Sequence, residues 1–175
     1  MKRVLCAAMM GLLGMVAGAQ ALDPASILHR DVTAWPTYSG DYTGQRFSPI
    51  DQINTANVTG LVQAWSVKLP GEVTHTGGVG TTVAPLGKVS GSIVEVDGVL
   101  FVTTPDNVWS LDAATGAVTW HYQWKTRGGT HIGNRGVGVW HDRVFFETPD
   151  NYLVALKAKT GEEIWHKEIA SFDLQ

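Results

Sequence analysis

Residues 97–120, DGVLFVTTPDNVWSLDAATGAVTW, recur as residues 141–165, HDRVFFETPDNYLVALKAKTGEEIW, with one extra residue in the second copy. Thr104-Pro105-Asp106-Asn107 returns as Thr148-Pro149-Asp150-Asn151, and Thr115-Gly116 with Trp120 returns as Thr160-Gly161 with Trp165. The offset is 44 residues before the insertion and 45 after it, a period that belongs to four-stranded propeller blades of about 40–50 residues. Helical repeats of similar length need long apolar stripes at helical spacing, and these copies have none.

Each copy reads as a small antiparallel sheet. Val99-Leu100-Phe101-Val102 is a β-branched and aromatic strand that starts after the Asp97-Gly98 turn; Pro105-Asp106-Asn107 reverses the chain, and Val108 to Leu111 forms the next strand. Thr115-Gly116 closes a hairpin, because glycine accepts the positive φ of a tight turn, and Ala117 to Tyr122 returns with Trp120. One such sheet cannot bury both of its faces, so Trp120 and Trp165 read as side chains that fill the gap to a neighbouring blade. A weaker copy runs from Leu61-Val62-Gln63 into Ala64-Trp65-Ser66-Val67. Ahead of it, residues 35–50 are turn-rich without periodicity, and Asp51-Gln52-Ile53-Asn54 with Ala56-Asn57-Val58 reads as one short helix. Residues 70–92, PGEVTHTGGVGTTVAPLGKVSGS, read as an ordered loop that buries Val79, Val83 and Leu86 rather than as a linker.

Composition supports many tight turns between buried strands. The 175 residues include 20 Gly and 7 Trp, with 44% hydrophobic and 17% charged residues and a net charge of −3. Glycine is above its usual ~7% and charge below its usual ~25%, which excludes a disordered or polybasic chain and argues against nucleic acid as a partner. Lys2 and Arg3, the apolar run Val4 to Ala17 and the small-x-small site Ala19-Gln20-Ala21 mark residues 1–21 as a cleavable secretory signal, which predicts a periplasmic protein. An uncleaved anchor is the other reading, disfavoured by the cleavage site. Cys6 lies inside the signal, so the remaining 154 residues carry no cysteine and their chemistry cannot use a thiol, a disulfide or a Cys-ligated metal.

The residues resemble the pyrroloquinoline quinone (PQQ)-dependent dehydrogenases of the methanol and ethanol dehydrogenase type. The likeness rests on Trp35-Pro36-Thr37-Tyr38-Ser39-Gly40-Asp41, Arg46-Phe47-Ser48-Pro49-Ile50, Gln52-Ile53-Asn54, Asn57-Val58, Leu61 and Ala64-Trp65. It is strengthened by Ala-x-Thr-Gly-x-x-x-Trp at Ala113 to Trp120 and Ala158 to Trp165, and by His131-Ile132-Gly133-Asn134-Arg135-Gly136 where the family has an Asn-Arg-Gly cofactor loop. The resemblance implies an all-β chain forming the N-terminal part of an eight-bladed propeller, about three blades and not closed. Residues 22–69 would supply the lead-in segment and the first blade strands, and 70–175 further blades, with repeats at 97–124 and 141–169.

The resemblance also implies PQQ near the propeller axis beside a Ca²⁺ or lanthanide ion. The metal would act as a Lewis acid and an Asp as general base, while an alcohol or sugar gives two electrons to the quinone. Arg135, with Asn134 beside it, is the implied cofactor contact, since a guanidinium fork binds a carboxylate or quinone oxygen while staying charged; bracing of the loop through backbone carbonyls is the alternative role. Gly129 and Thr130 stand where many such enzymes carry adjacent cysteines, and Ser90 stands where an acidic residue usually touches the quinone. Thr130 and Ser90 would either hydrogen-bond the cofactor or simply pack.

The general-base Asp and the metal ligands are expected beyond residue 175, so no catalytic or metal residue is assigned within the chain, and the fragment alone is expected to be inactive. At about 45 residues per blade, 154 residues make an open arc, whose exposed edges allow a homo-oligomer or assembly with other chains. No Cys-x-x-Cys-His haem signature occurs, so the acceptor would be a cytochrome c or a quinone served by a separate protein or by a segment beyond residue 175. The six histidines show no metal spacing; His131, four residues before Arg135, is the one near the expected site. A cofactor-free propeller scaffold for outer-membrane protein assembly is the alternative function. Asn134-Arg135-Gly136 and the lead-in segment favour the dehydrogenase, and Ala21-Leu22 supplies no lipobox cysteine.

Overall fold

The computed structural model describes residues 22–23, 25–28, 32–71, 89, 91–127 and 135–172. Within them lie two four-stranded antiparallel sheets, each a meander in sequence order. The first contains β1 (Val94–Val96), β2 (Val99–Thr104), β3 (Asn107–Asp112) and β4 (Val118–Gln123). The second contains β5 (Gly138–Trp140), β6 (Arg143–Glu147), β7 (Tyr152–Lys157) and β8 (Glu163–Glu168). Asp97 and Gly98 both take positive φ, 52° and 76°, which matches the right-handed twist of the β1–β2 hairpin they join.

Alternation along the strands assigns each side chain to a face. Val94, Val96, Val99, Phe101, Val108 and Trp120 of the first sheet share one buried cluster with Val139, Val144, Phe146, Val154 and Leu156 of the second. The intervening Val102, Trp109 and Leu111 bury the opposite face of the first sheet against Leu69. The first sheet is thus covered on both sides, whereas every residue of β8 is exposed and Trp165 retains 38% of its accessible surface.

A β-bulge precedes both Trp120 and Trp165. Leu111 pairs with Val118 but Ser110 with Trp120, so Thr119 is the extra residue, and its hydroxyl donates to the Ser110 carbonyl at 3.1 Å. In the second sheet Leu156 pairs with Glu163 and Ala155 with Trp165, leaving Ile164 as the extra residue. Without the bulge, Val118 and Trp120 would share a face; with it, Val118 joins the Trp109 side and Trp120 the inter-sheet core. Trp120 Nε1 then donates to the Ala158 carbonyl at 2.8 Å, and its ring lies over Gly161, where a Cβ would fall 2.6 Å from Trp120 Cε3. Trp65 repeats the contact one step earlier, donating to the Ala113 carbonyl at 3.1 Å and covering Gly116, where a Cβ would come within 2.4 Å. Each Thr-Gly turn therefore serves as the seat of the preceding tryptophan.

Residues 61–70 are extended without a strand partner among the described residues, yet Trp65 places them relative to the first sheet as β4 stands to the second. The short helix expected over 51–58 does not form. Asn54 and Asn57 capture backbone groups that a helix would use: Asn57 Oδ1 accepts from Asn54 N at 2.8 Å, Asn54 Oδ1 from Ala56 N at 3.0 Å, and Asn57 Nδ2 donates to the Gln52 carbonyl at 2.8 Å. The outcome is a series of turns ending in a 3-10 helix, Val58–Gly60. Farther upstream, helix α1 (Ala25–Leu28) lies between two isolated bridges, Leu22 to His141 and Trp35 to Glu95, which tie the lead-in segment to both sheets. The expected signal segment 1–21 and most of the expected glycine-rich loop, including Val79, Val83 and Leu86, lie outside the described residues.

Candidate functional site

The turn from the second to the third strand of each sheet carries the Thr-Pro-Asp-Asn repeat, and its aspartate is buried in both copies: Asp106 is 0% and Asp150 1% exposed. Asp150 Oδ1 accepts from Thr148 Oγ1 at 2.7 Å and from Trp124 Nε1 at 2.8 Å, while Oδ2 accepts from the Arg127 backbone N–H at 3.0 Å. A carboxylate so saturated is a clamp, and what it clamps is the start of the connection from β4 to β5. Arg127 adds its guanidinium, with Nε 3.6 Å from Asp150 Oδ2 and a second ion pair to Glu168 at 3.4 Å.

In the first sheet, Asn107 Oδ1 accepts from His121 Nε2 at 2.8 Å, and the imidazole stacks on Trp109 with centroids 5.0 Å apart and planes 6° from parallel. Burial holds the His121 pKa below its ordinary value, with the Asp106 charge pulling the other way. Trp109 Nε1 donates to the Pro70 carbonyl at 2.8 Å, so this cluster anchors the chain leaving residues 61–70. Between the sheets, the Tyr122 hydroxyl donates to Glu163 Oε2, and His166 Nδ1 lies 2.7 Å from the other carboxylate oxygen. The bond from Tyr122 holds the Glu163 pKa below the ordinary carboxylate value, with His166 adding to it, and burial pushes the Tyr122 phenol upward.

Arg135 stands at the head of the second sheet, three residues before β5. Its backbone carbonyl accepts from Ser92 N at 3.0 Å, so the approaches to β1 and β5 run side by side. The side chain is exposed, and its guanidinium makes no hydrogen bond or ion pair among the described residues. Close by, Thr103 is 1% exposed and its hydroxyl has no hydrogen-bond partner among the described residues; a Cβ on Gly91 would fall 2.5 Å from that oxygen. Of the residues expected at the cofactor, Arg135 is therefore placed on this rim, next to the residues that follow Ser90 in the chain. Ser90, Gly129, Thr130, Asn134 and His131 themselves lie outside the described residues.

Among the described residues, no group of three or more His, Cys, Asp or Glu side chains converges as a metal site. The arrangement offers a guanidinium, without a partner among the described residues, for an anionic or carbonyl oxygen, which is binding chemistry rather than proton transfer. Sequence reasoning did not find the clamp of Asp150 on Trp124 and Arg127, although the repetition of Thr-Pro-Asp-Asn was its signal. Thr103 had no signal beyond its place in an apolar run.

The dehydrogenase subunit of alcohol dehydrogenase (quinone) from Gluconacetobacter polyoxogenes is 35% identical over 92% of this chain and 22% of that protein. Quinohemoprotein alcohol dehydrogenase from Comamonas testosteroni is 36% identical over 76% of this chain and 18% of its own length. The solved structure of the latter matches 87% of this chain and 22% of that one, with a TM-score of 0.69 and 34% identity. A europium-containing methanol dehydrogenase matches 84% of this chain and 25% of its own, with a TM-score of 0.65 and 25% identity. The chain spans about a fifth of the length of the curated relatives it matches. A family model described as glucose/ethanol/alcohol dehydrogenase, β-propeller domain, matches residues 35–167, and the chain belongs to this PQQ propeller family.

Proposed function

We propose that this chain forms the N-terminal part of a periplasmic PQQ-dependent dehydrogenase that oxidises an alcohol or a sugar. The observation that carries the reading is Arg135, exposed and without a hydrogen-bond or ion-pair partner for its guanidinium among the described residues, at the head of β5 within a chain of this family. The residues described there fit an anionic, carbonyl-rich cofactor. The guanidinium offers a planar fork to its oxygens, and no carboxylate of the described chain competes for that fork. PQQ, when bound, supplies the two-electron acceptor for the carbinol carbon. Arg135 would bind and orient it, and the Asp150 clamp on Trp124 and Arg127 would fix the start of the loop that ends at Arg135.

Several relatives bear alcohol dehydrogenase names, which supports an alcohol substrate over the scaffold role; their quinone and quinohemoprotein names support a quinone or haem acceptor. A metal ion, Ca²⁺ or a lanthanide, would take ligands from outside the described residues, as would the general base. The signal-like pattern of residues 1–21, with Lys2 and Arg3 before an apolar run and Ala19-Gln20-Ala21 after it, supports the periplasm.

The test is reconstitution of the full-length protein with PQQ and either Ca²⁺ or a lanthanide. The expected result is dye-linked alcohol oxidation, with PQQ binding weakened about 10- to 100-fold in Arg135→Ala. Unchanged PQQ affinity in that variant would remove Arg135 from the site, and absence of PQQ binding by the native protein would end the dehydrogenase reading.

A further inference from the structure

The approaches to the two sheets cross where neither chain carries a side chain. A Cβ on Gly91 would fall 2.8 Å from Gly136 N and 3.1 Å from the Arg135 carbonyl carbon, besides meeting Thr103 Oγ1. Conversely, a Cβ on Gly136 would fall 2.8 Å from the Ser92 carbonyl oxygen, and Gly136 takes φ +119°, which L side chains rarely adopt. The two glycines exclude side chains reciprocally, and the hydrogen bond from Ser92 N to the Arg135 carbonyl joins the same four residues. Gly91 needs no unusual φ, so the space it leaves is its contribution.

We propose that Gly91 and Gly136 are positioning residues whose close crossing fixes Arg135 on the rim for its oxygen-rich ligand, an inference that rests on the reading of Arg135 as a PQQ contact. Among the described residues the Arg135 side chain has no partner, so what the protein controls is its backbone. That backbone is held from the β1 side, by Ser92 and the absence of a Cβ at residue 91. Besides the Thr103 hydroxyl, a methyl group there meets main-chain atoms, which cannot swing aside as a side-chain tip can: Gly136 N must shift, and the Arg135 carbonyl carbon bonded to it must give by a few tenths of an ångström. A bidentate contact needs placement to a fraction of an ångström, so a small shift is costly to binding. The first sheet begins only at Val94, and Gly91 lies outside it.

The test measures PQQ affinity by equilibrium dialysis on the full-length protein, for Gly91→Ala, Arg135→Ala and the double variant. Expected are a loss of about tenfold for Gly91→Ala alone and less than about twofold further loss when it is added to Arg135→Ala, because a residue acting through Arg135 has nothing to act on once the guanidinium is gone. Equal losses in both backgrounds, or none in either, would overturn the inference while leaving Arg135 as the contact. Unchanged affinity in Arg135→Ala would overturn the underlying reading and this inference with it. Thr103→Ala is expected not to restore Gly91→Ala, since the clash with Gly136 N persists; restoration would identify the Thr103 hydroxyl as the displaced group and refute action through the Arg135 backbone. Gly136→Ala provides an approach from the other side. If both glycine variants fail to fold, as judged by circular dichroism, the crossing is a folding element and the positioning role is refuted.

Discussion

Replacing Gly161 by alanine tests the seat on which the blades dock. Gly161 has φ +70°, and a Cβ there would fall 2.6 Å from Trp120 Cε3. Gly98 supplies an internal control: its φ is +76°, almost the same, yet a Cβ there meets nothing within 4 Å. Both substitutions carry the backbone strain of a left-handed alanine, about 1–2 kcal/mol. Gly161→Ala adds an overpacking cost of about 1–3 kcal/mol, because the indole it strikes is 8% exposed and pinned to the Ala158 carbonyl at 2.8 Å. The expected destabilisation is therefore about 1–2 kcal/mol for Gly98→Ala and about 2–5 kcal/mol for Gly161→Ala. Urea unfolding followed by circular dichroism reads both values from the shift in midpoint at constant slope. Coupling sharpens the test: in a Trp120→Ala background, Gly161→Ala should cost no more than Gly98→Ala does. Equal costs for the two alanines in the native background, or an undiminished excess after Trp120 is removed, would refute the reasoning that the Thr-Gly turn is a seat.

Three other perturbations follow from the same contacts. Asp150→Asn replaces one of two accepting oxygens by an amide N–H₂, so a donor from Trp124, Thr148 or Arg127 faces another donor; a loss of about 1.5–3 kcal/mol in urea unfolding is expected for a bond to a buried charge. Glu163 has its pKa lowered in the folded protein, chiefly by the Tyr122 hydroxyl, so its contribution is present above the unfolded carboxylate value and is lost as pH falls through the folded value; Glu163→Gln should flatten that part of the acid limb of the stability curve, and Tyr122→Phe should raise the Glu163 pKa in an NMR titration. His121, held below its ordinary pKa by burial, favours the neutral ring, so its contribution is complete above about 6.5 and declines as pH falls toward the folded value; His121→Phe, which keeps a ring against Trp109, should remove that dependence.

The repeat made the blades legible because it records two constraints at once, a turn that needs glycine and a tryptophan that needs that glycine bare. Gly116 and Gly161 satisfy both, with φ of 73° and 70° under Trp65 and Trp120. The three-residue strands β1 and β5 were not legible, since Val94–Val96 and Gly138–Trp140 are too short for alternation to declare itself and gain their partners from the hairpins that follow. The bulges were hidden for a related reason: Thr119 and Ile164 look like ordinary strand residues, and only the facing strand shows that each is one too many. At 51–58 the helical reading failed because Asn54 and Asn57 bind the backbone themselves, a local competition that apolar spacing does not register.

The site was half legible because its parts are of two kinds. Arg135, the proposed cofactor contact, was singled out by its chemistry, but the groups that hold it are backbone atoms and absent side chains. The connection between the sheets is gripped near its start by Asp150, which takes hydrogen bonds from Trp124 and Arg127. Near its end it is gripped by Ser92 and by the space above Gly91 and Gly136. One grip belongs to the second sheet and the other to the first, so Arg135 stays in place only while the two sheets keep their relative position. That position is set by Trp120 on Gly161 and by the shared core of Val94, Phe101, Val139 and Phe146. On the proposed role of Arg135, blade docking and ligand placement are thus one mechanical problem. A substitution at the Gly161 seat, remote in sequence from Arg135, should weaken PQQ binding as well as stability, whereas Gly98→Ala, at a turn with an open neighbourhood, should leave binding unchanged.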